Sequence, residues 1–262
     1  MEFKNQQVAI QQLHDLADAD RHSILIEGIE GSGKSYLAKE YAKILNIVDM
    51  ISIQPNVNEV RDAIDACYTV TNNVLICIEN LDTGLPSASY TLLKFLEEPM
   101  SNVYIVVTCR NINRVPDTIV SRSAVVSLAV PIDQDIALYA EKRDSMQYSK
   151  LSQYKFWDCV RSFKDVDTLM SMSNEQKDYF LKELPEVFRF KDPVSTISWK
   201  LTKYPDNTET PLSFVVRYIM ATYSQNRYIT KACIECLSEL DRSRVAPHAS
   251  ISKLIFECMY GG

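Results

Sequence analysis

Residues 23–35 read SILIEGIEGSGKS, and this stretch decides the fold. Its first five residues form a short apolar run that Gly28 ends, which predicts a buried strand. Gly28 to Ser35 then fits the pattern G-x-x-x-x-G-K-S/T, and apolar residues at helical spacing predict a helix from Lys34 to Leu45. A strand, a glycine-rich loop and a helix in this order predict a phosphate-binding loop.

The residue types of this loop suit a polyphosphate. Glycines let backbone N–H groups turn towards an anion, and the helix that follows adds the positive end of its dipole. Lys34 can bridge the β- and γ-phosphates, and the Ser35 hydroxyl can hold Mg²⁺. A chance match is the alternative, but three of the four glycines outside the C-terminal pair lie in this octapeptide. The predicted nucleotide-binding residues are Gly28, Gly31, Ser32, Gly33, Lys34 and Ser35.

Strands and helices are predicted to alternate along the first half of the chain. The strands are predicted at 23–27, 50–53, 73–79, 103–108 and 124–130, and the helices at 3–19, 34–45, 56–68, 88–96 and 116–120. This alternation predicts an α/β fold of βαβ units around a parallel sheet. After Pro131 the continuous apolar runs stop and helical spacings reach the end. We predict a nucleotide-binding domain over 1–130, a helical segment over 131–195 and a helical C-terminal domain over 196–262.

Composition excludes several classes of protein. The chain has 262 residues, of which 46% are hydrophobic and 24% charged, as in ordinary globular proteins. Its apolar runs are far shorter than the roughly 20 residues of a membrane helix, so no membrane partner is expected. Seven widely spread cysteines in a chain of this length predict reduced thiols and a cytoplasmic location. The net charge of −6 argues against nucleic-acid binding by the isolated chain.

Acidic residues follow the predicted strand 73–79. Glu79 lies where a phosphate-loop enzyme holds its metal ion, and Asp82 is close in sequence. We therefore predict Ser35, Glu79 and Asp82 as magnesium ligands. The alternative is an ordinary strand end entering a polar turn. Asn80 occupies the position where a glutamate often polarises the attacking water, and an amide cannot accept a proton as a carboxylate can. Slow hydrolysis is the expected result.

Further segments between residues 3 and 130 resemble segments of one protein family, and they occur in the same order along the chain as in that family. Leu92–Pro99 (LLKFLEEP) and Pro116–Ser123 (PDTIVSRS) resemble segments of bacterial clamp-loader ATPases. Asn58–Arg61 is similar to the turn in that family with the pattern IDxIR, and Asn5–Val8 to its N-terminal helix. The sequence thus resembles the AAA+ subunits of the DNA polymerase III clamp loader, tau/gamma and delta prime. The resemblance implies a AAA+ parallel sheet, a small helical lid and a helical C-terminal collar.

The resemblance also implies site roles. It identifies Arg122 with the arginine that reaches the nucleotide of a neighbouring subunit, where a guanidinium stabilises charge on the transferred phosphate. The alternative is a surface arginine at a helix end. The implied catalytic set is Lys34, Glu79 and Arg122. An ungapped count places Arg110 where a sensor threonine or asparagine is usual; Thr108 and Asn111 are near enough to serve, and Thr108 is taken as nucleotide-binding.

Departures from the family pattern bear on activity. Asn80 replaces the glutamate, no arginine matches the lid sensor near Ser162–Asp167, and the four-cysteine zinc module is missing. Cys233 and Cys236 form one isolated pair on a helical pattern, so core packing is expected instead of zinc. These departures favour a subunit like delta prime, which binds nucleotide poorly or statically, whereas the intact phosphate loop favours a motor subunit.

Three functions are therefore considered. The first is an ATP-hydrolysing clamp-loader subunit with ATP and Mg²⁺ as cofactors. Its expected partners are other clamp-loader subunits, a sliding clamp and, through the assembly, primer–template DNA. The second is a non-hydrolysing structural subunit of the same assembly, which Asn80 favours. The third is another AAA+ ATPase such as a helicase loader, which Leu92–Pro99 and Arg122 disfavour.

Overall fold

Five parallel strands form one sheet in the order β2-β3-β4-β1-β5. In this computed structural model the described residues are 3–153, 155–178, 212–241 and 247–260. The strands are β1 Ser23–Glu27, β2 Asp49–Ile53, β3 Val74–Ile78, β4 Val103–Cys109 and β5 Ala124–Ser127. The predicted α/β class with a parallel sheet is confirmed. The last strand ends at Ser127, three residues earlier than the predicted Val130.

Helices connect the strands as the apolar periodicity predicts. They are α1 Lys4–Asp18, α2 Lys34–Ile44, α3 Val57–Cys67, α4 Pro86–Glu97 and the short α5 Asp117–Val120. The Asn56 side chain caps α3 by accepting a hydrogen bond from the Glu59 backbone N–H. Pro86 begins α4, where a missing N–H costs nothing.

Two apolar layers cover the two faces of the sheet. Alternate residues of β3 divide between them: Ile76 packs in the cluster with α3 and α4, while Leu75 and Cys77 pack in the cluster with α1 and α2. Both faces of β3 and β4 are therefore buried, which explains why their sequences are apolar throughout. The outer strand β2 is only partly covered.

The described chain divides into two compact units. The first runs to Ile136 and also includes Ser162–Lys164, and the second contains Ala137–Arg161 and the described residues after Lys164. The later helices are α6 Asp133–Arg143, α7 Ser145–Leu151, α8 Phe163–Ser171, α9 Asn174–Asp178, α10 Leu212–Thr222, α11 Arg227–Asp241 and α12 Pro247–Tyr260. The predicted boundary between residues 195 and 196 lies outside the described residues.

In the second unit, α10, α11 and α12 pack on one another through buried apolar residues such as Val216, Cys233 and Ile255. A mostly buried ion pair joins Arg217 to Asp165 at 2.8 Å. None of the helices in the described ranges combines the length and the apolar character needed to cross a bilayer.

Candidate functional site

The register of the sheet determines which residues meet at its carboxyl edge. Glu27 of β1 pairs with Cys109 of β4, and Ile78 of β3 pairs with Val107. The glycine-rich loop follows β1, Glu79 follows β3, and Arg110 follows β4. Since the carboxyl ends of parallel strands share one edge, residues from three distant segments are brought together there.

The loop has the backbone of an anion cradle. Gly31 and Gly33 have φ values of 71° and 105°, a region that ordinary L-residues avoid. A β-carbon on Gly31 would lie 2.7 Å from the Lys164 Cβ, and one on Gly33 would collide with the Gln6 Nε2. Gly33 is also the N-cap of α2, so the N-terminal N–H groups of an 11-residue helix follow the loop. Glycine is therefore required at both positions.

Lys34 is buried inside the loop. Its Nζ donates hydrogen bonds to the carbonyl oxygens of Gly28 at 2.7 Å and Ile29 at 2.9 Å. Burial and the nearby positive charge of Arg110 lower the pKa of Lys34, while Asp82 acts in the opposite direction. A buried ammonium that donates to two carbonyl oxygens and lies near another cation would be stabilised by a bound phosphate.

The structure brings Ser35 and Glu79 together. The Ser35 hydroxyl lies 3.4 Å from the Glu79 Oε1, within reach of a weak hydrogen bond. The Glu79 backbone N–H donates to Ile53 O of β2, which extends the sheet pairing by one residue and fixes the position of the acid. A hydroxyl and a carboxylate are ligands that suit Mg²⁺, which also takes oxygens from nucleotide phosphates and water.

Asp82 has a different set of contacts. Its Oδ1 accepts a hydrogen bond from the Arg110 backbone N–H at 3.0 Å, and its buried Oδ2 has no hydrogen-bond partner. No group of three or more His, Cys, Asp or Glu side chains converges as a metal cluster within the described ranges. The donors that are present fit a magnesium ion held jointly with a nucleotide, and Asp82 as a ligand stays a prediction.

Asn80 and Thr108 join the ends of β3 and β4. The Asn80 backbone is left-handed, with φ 50° and ψ 52°, and its N–H donates to the Thr108 hydroxyl at 2.9 Å. Asparagine adopts this conformation more readily than glutamate. The backbone therefore gives a physical reason for an amide at position 80. Thr108 is 2% exposed, and its contact with a nucleotide stays a prediction.

One charged cluster beside the loop was not predicted from the sequence. Glu30, in the middle of the loop, forms ion pairs with Arg110 at 2.9 Å and with Lys164 at 2.7 Å. Burial opposes ionisation of Glu30, but the Lys164 hydrogen bond and the Arg110 charge outweigh it, so the pKa of Glu30 lies below its ordinary value. Lys164 is 134 residues from Glu30, so no local pattern could have indicated the pair.

Arg122 lies at the opposite edge of the sheet. It precedes β5, and the adjacent Ser123 hydroxyl is 2.9 Å from that of Ser23, the first residue of β1. A five-residue strand is about 16 Å long, farther than an arginine side chain reaches. The guanidinium donates to Thr118 O and pairs with Glu97 at 2.8 Å. Arg122 therefore cannot serve the phosphate loop of its own chain.

Cys233 and Cys236 lie on α11 and are both buried. Burial raises the pKa of each thiol to about 12. Thiols in this environment stay protonated, whereas metal ligation requires thiolates.

Residues 48–131 match the family model described as DNA polymerase III, delta subunit. A DNA polymerase III gamma subunit-related protein from Thermotoga maritima has a TM-score of 0.57 at 16% identity, covering 95% of this chain and 98% of the other. A RuvB mutant from Thermotoga maritima has a TM-score of 0.53 at 12% identity, covering 95% of this chain and 85% of the other. No curated protein sequence gives a significant match.

The family match includes β2 to β5, and therefore Glu79, Arg110 and Arg122, but it does not include the phosphate loop. The two solved structures share the fold of this chain, and they agree with the predicted α/β fold, a parallel sheet flanked by helices.

Proposed function

We propose that this chain, a AAA+ clamp-loader-like protein by its fold and by the match over residues 48–131, is an ATP-binding subunit of a DNA-replication clamp loader. Its partners would be related subunits, a sliding clamp and, through the assembly, primer–template DNA. Its activity would take place in the cytoplasm. The observation that carries the proposal is the separation of Arg122 from the phosphate loop by the full length of β1.

The nucleotide site would use the residues at the carboxyl edge of the sheet. The backbone of Gly28–Ser35 would hold the phosphates, Lys34 would neutralise them, and Ser35 with Glu79 would hold Mg²⁺. ATP supplies the phosphoryl group whose transfer to water releases the free energy used by the assembly. Lys34 contributes charge stabilisation from a buried position, where electrostatic interactions are stronger than in water.

Arg122 would complete the site of a neighbouring subunit. Its exposed ion pair with Glu97 contributes little stability, so the guanidinium can be released to a neighbour at small cost. An arginine at the edge opposite to its own loop is suited to a role in another subunit. This placement favours an assembled enzyme over an independent monomeric ATPase.

A second candidate is a subunit that binds ATP without turnover. Asn80 favours it, because no carboxylate stands at the position beside Glu79. The two candidates share the nucleotide site and differ in hydrolysis, which the phosphate-release assay below measures. The family match favours both over a helicase loader.

Binding is tested by titrating the purified chain with ATP and Mg²⁺ in a calorimeter. Lys34→Ala should abolish binding, because the buried ammonium is the charge in the loop that faces the phosphates. Lys43→Ala is a matched control, since Lys43 lies on the exposed face of the same helix in a pair with Glu40. Equal affinity of the Lys34→Ala variant and the unaltered chain would refute the site.

Assembly is tested by affinity purification of the tagged chain from the cells that express it, followed by mass spectrometry. A sliding clamp and related ATPases should co-purify, and the recovered complex should release phosphate in the presence of primed DNA. Recovery without a clamp or a related ATPase would contradict the replication role. Recovery of the complex with no phosphate release would favour the second candidate.

A further inference from the structure

We propose that Arg110 is a second phosphate-binding cation of this site and that Glu30 is its resident counter-ion, which a nucleotide displaces. This inference rests on the proposed function, because it names a further residue of the same nucleotide site. It also assigns a role to Glu30, the charged residue among the four unspecified positions of the G-x-x-x-x-G-K-S/T pattern.

Arg110 is fixed beside the loop by the sheet. Its neighbour Cys109 accepts a hydrogen bond from the Gly28 backbone N–H at 3.1 Å, so β4 ends level with the first residue of the loop. The Arg110 backbone N–H donates to the Asp82 Oδ1 at 3.0 Å. The guanidinium therefore extends from an anchored strand end and not from a mobile surface loop.

Three cations and at least three acids surround the loop. The cations are Lys34, Arg110 and Lys164, and the acids include Glu30, Asp82 and Glu79. Arg110 is close enough to Lys34 to disfavour the charged form of the lysine. Two cations that repel each other beside a glycine-rich loop are both stabilised when a multiply charged anion binds close to both.

The Arg110 guanidinium forms an ion pair with Glu30. The Glu30 Oε2 contacts the Arg110 Nη2 at 2.9 Å while the Glu30 Oε1 binds Lys164. The carboxylate carries one negative charge, whereas a nucleoside triphosphate carries several, and the planar fork of arginine binds phosphate oxygens well. The Glu30 and Arg110 side chains are 45% and 32% exposed, so water weakens their pair and exchange for phosphate is favoured.

Substitutions of Arg110 and Glu30, alone and together, distinguish a direct exchange of partners from a general effect of charge. Arg110→Gln should weaken MgATP binding about tenfold, the loss expected for one hydrogen-bonded charge. Glu30→Gln should strengthen MgATP binding several-fold, because the competing carboxylate is gone. In the Arg110→Gln background the Glu30→Gln change should have less than half of its effect, since the two residues act through one contact.

Calorimetric titration of the full-length chain with MgATP measures these affinities, with Lys43→Gln as a control for loss of a distant cation. Suppose that the unaltered chain binds ATP and that Lys34→Ala abolishes this binding. If the affinity of Arg110→Gln for MgATP is then within twofold of that of the unaltered chain, this inference is wrong and the proposed function stands. Additive effects of the two substitutions, or weaker binding by Glu30→Gln, would also refute it.

Absence of ATP binding by the unaltered chain would refute the proposed function and this inference together. Circular dichroism spectra establish that each variant is folded. If Arg110→Gln does not fold, Arg110→Lys replaces it, and a loss of at least threefold is expected because lysine lacks the planar fork. Unchanged affinity of that variant would overturn the inference.

Discussion

The left-handed backbone at Asn80 leads to a test that distinguishes conformation from side-chain contacts. Ordinary L-residues lose roughly 1–2 kcal/mol in this region, glycine loses nothing, and asparagine is intermediate. Asn80→Ala should therefore lower the free energy of unfolding by about 1 kcal/mol, and Asn80→Gly should leave it unchanged or raise it. The Asn80 N–H bond to the Thr108 hydroxyl is made by the backbone and survives both changes.

Thermal unfolding followed by far-UV circular dichroism measures the difference. A loss of 1 kcal/mol lowers the midpoint by about 2–4 °C in a domain of 150–250 residues. The matched control is Asn113, an exposed asparagine that is not among the described residues with positive φ. There the order should reverse, with Asn113→Gly less stable than Asn113→Ala. If Asn80→Gly is as destabilised as Asn80→Ala, the backbone is not what selects asparagine.

A substitution at Asn80 should change both the stability of the chain and the ATP turnover of the assembly. Asn80→Glu introduces the carboxylate that phosphate-loop enzymes commonly use to polarise water, so ATP turnover of the assembly should rise. The midpoint should fall as for Asn80→Ala, because glutamate has no better access to the left-handed region. A rise in turnover without loss of stability would contradict the conformational part of this reasoning. Unchanged turnover would show that the missing carboxylate does not limit hydrolysis.

Three further predictions concern other residues. Arg122→Ala should leave ATP binding by the isolated chain intact and reduce assembly-dependent hydrolysis at least tenfold. Glu97→Gln is the control, because it breaks the same ion pair but retains the guanidinium, and hydrolysis should be unchanged. If both variants lose hydrolysis equally, Arg122 does not act on a neighbouring subunit. ATP affinity should not change with pH near neutrality. It should fall as the pH rises through the pKa of Lys34 in the nucleotide-free chain, which lies below 10.5, because a bound phosphate favours the protonated amine. Calorimetry between pH 7 and about 10 measures this change. Asp165→Ala leaves the Arg217 charge mostly buried and should cost about 3–5 kcal/mol in urea unfolding, and a cost below about 1 kcal/mol would refute it.

Much of the fold could be predicted because its cues are local. The apolar runs of β3 and β4 and the helical spacing of α2 and α3 depend on residues that are neighbours in sequence. The strand order β2-β3-β4-β1-β5 is non-local and could be expected only through the family resemblance. The end of β5 was misplaced because residues 128–130 are apolar, yet the paired register of β5 with β1 ends at Ser127, where the Leu128 N–H donates to Glu27 O.

The candidate site was only partly accessible from the sequence. The glycine pattern indicated the loop, and the acid after a buried strand indicated Glu79, which the structure places 3.4 Å from the Ser35 hydroxyl. The contacts of Glu30 could not be predicted, because its partners Arg110 and Lys164 lie far along the chain. The asparagine at position 80 was interpreted as a missing catalytic group, whereas its φ of 50° adds a conformational cause that no sequence pattern shows.

The placement of Arg122 and the phosphate loop at opposite ends of β1 limits how many nucleotide sites an assembly can complete. A protomer that donates its arginine at one end of the sheet and receives a neighbour's arginine at the other joins its neighbours head to tail, so the contact is heterologous and has a direction. Under the proposed role, a closed circle completes every nucleotide pocket, whereas an arc with one gap always has one pocket that no guanidinium enters. The ratio of active pockets to protomers would therefore report whether the assembly is closed.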